Sequence, residues 1–149
     1  MTRRLLLVLL LHSALTQVVT FVLRPTTAYR AIELDVPAAW LGVLTASFAV
    51  VPLVLAVPSG QATDRFGEQR VMLAGSVLVV ASALVFLDGR GGAAGLVAGS
   101  VLLGTGHLLS VVGQQAAVAN TAGPGTFDTA FGYYTFAASL GQAVGPALI

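Results

Sequence analysis

Polar residues recur at regular steps in the first long apolar run of the chain. Ser13, Thr16, Gln17, Thr20, Arg24 and Thr27 are three or four positions apart or adjacent to such a step, with leucine and valine between them. At 3.6 residues per turn they share one face of a helix. The run begins after Arg3-Arg4, as a secretory signal would. It nevertheless stays uncharged to Leu23, carries an ordered stripe, and shows no small-residue cleavage site followed by polar sequence. Roughly 20 apolar residues span a bilayer, so an uncleaved spanning helix over about residues 4–29 is expected.

Four more runs follow. Arg30, Glu33, Asp35 and Pro37 make a polar connection to a second apolar run, expected as a helix over 39–59. Trp40 stands at its start, where an amphipathic ring suits the headgroup layer. Pro52 and Pro58 lie in or near its end, tolerated in a membrane when neighbours satisfy the freed carbonyls. A charged turn, Gly60 to Arg70, comes next. The third helix, 70–87, is interrupted only by Ser76 and Ser82, and Asp88-Gly89-Arg90-Gly91-Gly92 reverses the chain. The fourth, 93–121, is rich in Gly95, Gly99, Gly104, Gly106 and Gly113, small residues that let membrane helices approach closely. Its polar residues Ser100, His107, Gln114 and Thr121 recur every seven, with Ser110 beside them. Thr121-Ala122-Gly123-Pro124-Gly125 breaks it, and a fifth helix over 127–149 is expected. The stripes on the first and fourth helices should line something wet or ligand-filled, and the third should face lipid.

Composition strengthens the membrane reading. Charged residues make up 9% of the 149, hydrophobic ones 56%, and lysine is absent. A soluble domain carries about a quarter charged residues. The fold class is therefore an all-α integral membrane protein with five transmembrane helices, and its partner is the lipid bilayer. A net charge of +1 offers no basis for nucleic-acid binding. No cysteine is present, and the two histidines, His12 and His107, have no carboxylate near them in sequence. No metal or cofactor is expected. An intramembrane hydrolase would need His107 and Ser110, one helical turn apart, as a catalytic pair; no carboxylate orients them, so no enzyme is expected. Arginine distribution orients the chain. Arg3, Arg4, Arg65 and Arg70 fall on one side and Arg30 and Arg90 on the other, which makes the N-terminus cytoplasmic by the positive-inside bias.

The turn holds the most specific pattern. Gly60-x-x-x-Asp64-Arg65-x-Gly67-x-x-Arg70 resembles the signature loop between the second and third helices of the major facilitator superfamily. Glu68 and Gln69 replace the usual basic pair. Gly60 would permit close helix contact, Gly67 a turn at positive φ, and Asp64 would sit at a helix start. Gly141-x-x-x-Gly145-Pro146 resembles the fifth-helix motif of antiporters in that family, with Pro146 expected to kink the helix. In the fourth helix Ser100 stands where many proton-coupled members carry an arginine ahead of a glycine, here Gly104.

The resemblance implies a transporter of twelve helices in two halves, of which this sequence covers the first five, an incomplete N-terminal half of the bundle. It implies secondary transport of a small solute across the cytoplasmic membrane, as an efflux carrier, with the missing C-terminal half as partner. It also implies that Asp64 latches the two halves. Candidate cavity residues are Gln17, Thr20, Arg24, His107, Ser110 and Gln114. Arg24 either faces that cavity or reaches to the outer headgroups. The alternative is a small membrane protein without transport activity, binding partners through the glycine-rich faces of its fourth and fifth helices.

Overall fold

A computed structural model describes residues 2–88 and 90–149. Five helices make it up: α1 Arg3–Glu33, α2 Ala39–Phe66, α3 Glu68–Asp88, α4 Gly92–Thr121 and α5 Phe127–Val144, with a 3-10 turn over Gly145–Leu148. No strand occurs among the described residues. Helices α1 to α4 are each long and apolar enough to cross a membrane. The 18 residues of α5 do not reach that standard, because Asp128, Thr129, Tyr133, Tyr134 and Gln142 dilute its apolar character. Pro146 does not kink α5 as expected. It closes the α-helix into the 3-10 turn, since a proline lacks the N–H that would continue the ladder.

The largest departure from expectation is the charged turn. Residues Gly60 to Phe66 are the last turns of α2, and α3 begins at Glu68. The chain reverses at Gly67 alone, with φ 85° and ψ 154°. That region is open essentially only to glycine. The turn expected at Asp88–Gly92 includes Gly89, which like Met1 lies outside the described residues; Gly92 opens α4 at φ +52°.

Helix α4 is the centre of the bundle and touches the other four helices. Its glycines set how close they come. A Cβ on Gly106 would stand 2.7 Å from the Gly75 carbonyl oxygen, and one on Gly104 2.7 Å from the Phe48 carbonyl oxygen. The first contact brings the α3 and α4 backbones together. The second places α4 against the α2 carbonyl that Pro52 leaves without its helix donor. Ser82 then donates to the Gly99 carbonyl across the α3–α4 seam at 2.8 Å. On the other side of the bundle, Gly141 packs on Ala14 and Gln17 and Gly145 on Val18 and Phe21, which joins α5 to α1.

The outward face of α3 is Leu73, Val77, Val80, Leu84 and Leu87, spaced by three and four and exposed. This is the lipid-facing helix surface expected from its composition. Two apolar clusters fill the interior. Leu9, Ala117, Val118, Ala130 and Tyr134 lie toward the Gly67 end. Ala31, Leu44, Val79, Phe86, Leu96 and Leu103 lie toward the opposite end.

Candidate functional site

The polar stripes of α1 and α4 face each other inside the bundle and largely satisfy each other. Gln114, fully buried, donates from Nε2 to His12 Nδ1 at 2.8 Å and to Thr16 Oγ1 at 3.4 Å. Tyr134 of α5 donates its hydroxyl to Gln114 Oε1 at 3.4 Å. His12 Nε2 lies 3.0 Å from Ser76 Oγ of α3, whose own proton goes to the Met72 carbonyl. The directions close only with the His12 proton on Nε2, where it donates to Ser76. The chain of donors therefore runs from α5 through α4 and α1 to α3. It spans the half of the bundle nearer Gly67. This half is closed by side-chain bonding and is not the open cavity that the stripes led us to expect.

One turn further along, Thr20 shares a 3.2 Å hydrogen bond with His107 Nδ1. The His107 ring packs at 5.9 Å from that of Phe48. Beyond this level the helices separate. A pocket of about 440 Å³ opens among α1, α2, α4 and the closing 3-10 turn. Phe21, Leu41, Leu44, Phe48, Leu103 and Pro146 form its apolar wall, and Arg24, Thr27, Thr45 and Ser100 bring polar groups into it. Arg24 lies about 14 Å from the Glu33 end of α1 at 1.5 Å per residue. Its guanidinium carbon stands 4.5 Å from the centre of the Phe48 ring. The side chain is thus turned onto α2 inside the pocket.

The candidate residues fall into four groups. Arg24 lines the pocket, and Thr20 and His107 form its inner neighbourhood. Gln114 belongs to the closed network. Gln17 is buried at the α1–α5 contact, with Oε1 unpartnered, as is the neighbouring Ser13 Oγ. Ser110 does not belong to the cavity. It is fully buried against α3, where a Cβ on Gly75 would lie 2.5 Å from its Oγ. Its position one turn from His107 leaves the two residues on different faces, so no His107–Ser110 pair forms. His12 was missed as a site residue; its signal was Thr16, one turn on along the same face.

The signature residues also sit differently from expectation. Gly60 has nothing within 4 Å of a notional Cβ, so no helix approaches it here. Asp64 is on the last turn of α2, not at a helix start. There a carboxylate meets the negative end of the helix dipole. It is exposed and makes no hydrogen bond or ion pair among the described residues. Arg65 lies 5.3 Å from the Phe66 ring, and Arg70 is exposed. Glu68, which replaces a basic residue of the pattern, accepts from Asn120 Nδ2 at 2.5 Å and ties the Gly67 turn to the end of α4.

Four helices apolar enough to span a membrane, with polar side chains turned inward and a pocket open at one end, make a multi-pass membrane protein. The family model described as Major Facilitator Superfamily matches residues 5–149. The chain belongs to the major facilitator superfamily, a family of membrane transporters. No curated protein and no solved structure matches it.

Proposed function

We propose that this chain forms the N-terminal helical part, residues 1–149, of a secondary transporter that exports a small solute across the cytoplasmic membrane. The N-terminus and the Gly67 turn face the cytoplasm in this reading, and a C-terminal half completes the solute path. The observation that carries the proposal is the one-sided pocket beside Arg24, sealed toward Gly67 by the His12–Gln114–Tyr134 network. A transporter holds its solute near mid-membrane and opens to one side at a time. Arg24 is the residue of this half that faces the solute, and Thr20 and His107 lie behind the inner wall of its pocket.

Asp64 is the latch. An exposed carboxylate at a helix C-terminus lacks the local stabilisation that a helix start would provide, and the C-terminal half supplies its partner. The test is flux in proteoliposomes containing the complete protein. Asp64→Asn should slow transport at least tenfold while membrane insertion stays unchanged. Transport equal to the unmodified protein would rule out the latch.

The alternative, a partner-binding protein without transport, assigned its contacts to the glycine faces of α4 and α5. Gly99, Gly104, Gly106 and Gly113 of α4 and Gly141 of α5 pack within the chain, while Gly95 and Gly132 face open space, so most of those faces are already occupied.

A further inference from the structure

We infer that the pocket beside Arg24 takes a solute with an anionic head and an apolar or aromatic body. The inference rests on the transporter reading above and assigns it a substrate class. It follows from which donors and acceptors remain free in the pocket.

The Arg24 guanidinium carbon lies 4.5 Å from the centre of the Phe48 ring and 5.8 Å from that of Phe21, within cation–π range of both. The guanidinium N–H donors make no hydrogen bond or ion pair among the described residues. They meet no carboxylate: Glu33 is bonded to Arg30 at 2.7 Å, and no aspartate or glutamate lines the pocket. Thr27 and Thr45 spend their hydroxyl protons on the Leu23 and Leu41 carbonyls, at 2.8 and 3.1 Å. Ser100 makes no hydrogen bond among the described residues. The free donors are therefore Arg24 and Ser100. The free acceptors are the Phe21 carbonyl, which Pro25 leaves without a helix donor, and the hydroxyl oxygens of Thr27, Thr45 and Ser100.

A few neutral dipoles do not balance the full charge of Arg24, which has no counter-ion among the described residues. The matching ligand group is a carboxylate or another oxyanion, which the planar guanidinium grips with two parallel hydrogen bonds. The rest of the wall is apolar, and a volume of about 440 Å³ lies in the range of sites for small organic molecules. A lone inorganic anion would leave that wall wet. An organic anion with a ring or short hydrocarbon body fills it.

The test is equilibrium binding of 4-biphenylcarboxylate to the chain in phosphatidylcholine nanodiscs, followed by calorimetry, with empty nanodiscs as the blank. Its uncharged carboxamide and 4-phenylbenzylamine are the comparison probes. The carboxylate should bind saturably and lose about tenfold or more in affinity with Arg24→Gln, the loss of a charge-assisted pair. Arg24→Lys should recover part of that loss, and Ser100→Ala should cost about threefold. Arg24 is exposed and makes no hydrogen bond or ion pair among the described residues, so both Arg24 variants should keep the unmodified helicity by circular dichroism. Unchanged carboxylate affinity in Arg24→Gln, an amine that binds as tightly as the carboxylate, or no saturable binding above the blank would each overturn the proposal. Flux separates it from the reading beneath it. Arg24-dependent binding with no carboxylate flux by the complete protein contradicts transport and leaves the anion site standing. Flux of a cation that does not depend on Arg24 does the reverse.

Discussion

Toward Gly67, His12, Ser76, Gln114 and Tyr134 bond to one another across α1, α3, α4 and α5. Toward the opposite end, Arg24 and Ser100 line the pocket, and the hydroxyls of Thr27 and Thr45 turn back onto their own helices. The same kinds of residue, at the same helical spacing, do opposite things. In the closed half His12, Ser76, Gln114 and Tyr134 find partners on other helices, while Ser13 Oγ, Gln17 Oε1 and Ser110 Oγ are buried without one among the described residues. In the open half the polar groups that line the pocket have no partner on a neighbouring helix among the described residues, and a pocket remains. A polar stripe in a membrane helix therefore does not by itself mean a cavity. What decides is whether the facing helix carries a complementary stripe and comes close enough to use it.

Backbone approach is the first determinant of closure. Gly75 is next to Ser76, and a Cβ on it would stand 2.7 Å from the Gly106 carbonyl oxygen and 2.7 Å from the Ser110 nitrogen. Gly75→Ala must push α3 off α4, at a cost of about 2 kcal/mol typical of overpacking, and draw Ser76 away from His12. Unfolding in detergent should show the loss. Gln114→Leu comes next. It removes the hub of the network and should cost about 1 kcal/mol, the scale of interhelical hydrogen bonds in membranes. In a double-mutant cycle with His12→Leu, the two costs should fall short of adding, because they remove the same bond. The smallest effect belongs to the open half. Gly42 of α2 has nothing within 4 Å of a notional Cβ. Gly42→Ala should leave stability unchanged or raise it by up to about 1 kcal/mol through helix propensity. A loss there comparable to that of Gly75→Ala would mean that the pocket end is as tightly packed as the other.

Much of the fold was legible because apolar length and polar interruptions act locally. The connections after the first, third and fourth helices fall where charges, glycines and prolines cluster. The extent of α2 was not legible. Gly60 to Phe66 are compatible with a helix, and only the tertiary arrangement shows that one residue, Gly67, makes the whole reversal. The lipid face of α3 could be read from its lack of polar residues, but the side on which Ser110 lies could not. A step of three from His107 to Ser110 is close enough to suggest one face, yet α4 has neighbours on every side, and three residues turn it from α1 toward α3. The pairing of Gln114 with His12 links positions 102 residues apart, beyond any local pattern. Asp64 shows the same limit in reverse. Its place in the motif is plain from sequence, while its position at a helix end depends on where α2 stops.

The absence of cysteine makes the difference between the halves directly measurable, since any introduced thiol is the only one present. Ser100 and Ser110 both lie on α4 and both are buried, at 4% and 0% exposure. Only Ser100 lines the pocket. Ser100→Cys and Ser110→Cys, each in the chain reconstituted in sealed vesicles, should be treated with a membrane-impermeant methanethiosulfonate reagent from either side. The account predicts rapid modification of Ser100→Cys from the side opposite Gly67 and none of Ser110→Cys from either side. Equal modification of both, or access to Ser100→Cys from the Gly67 side, would contradict it.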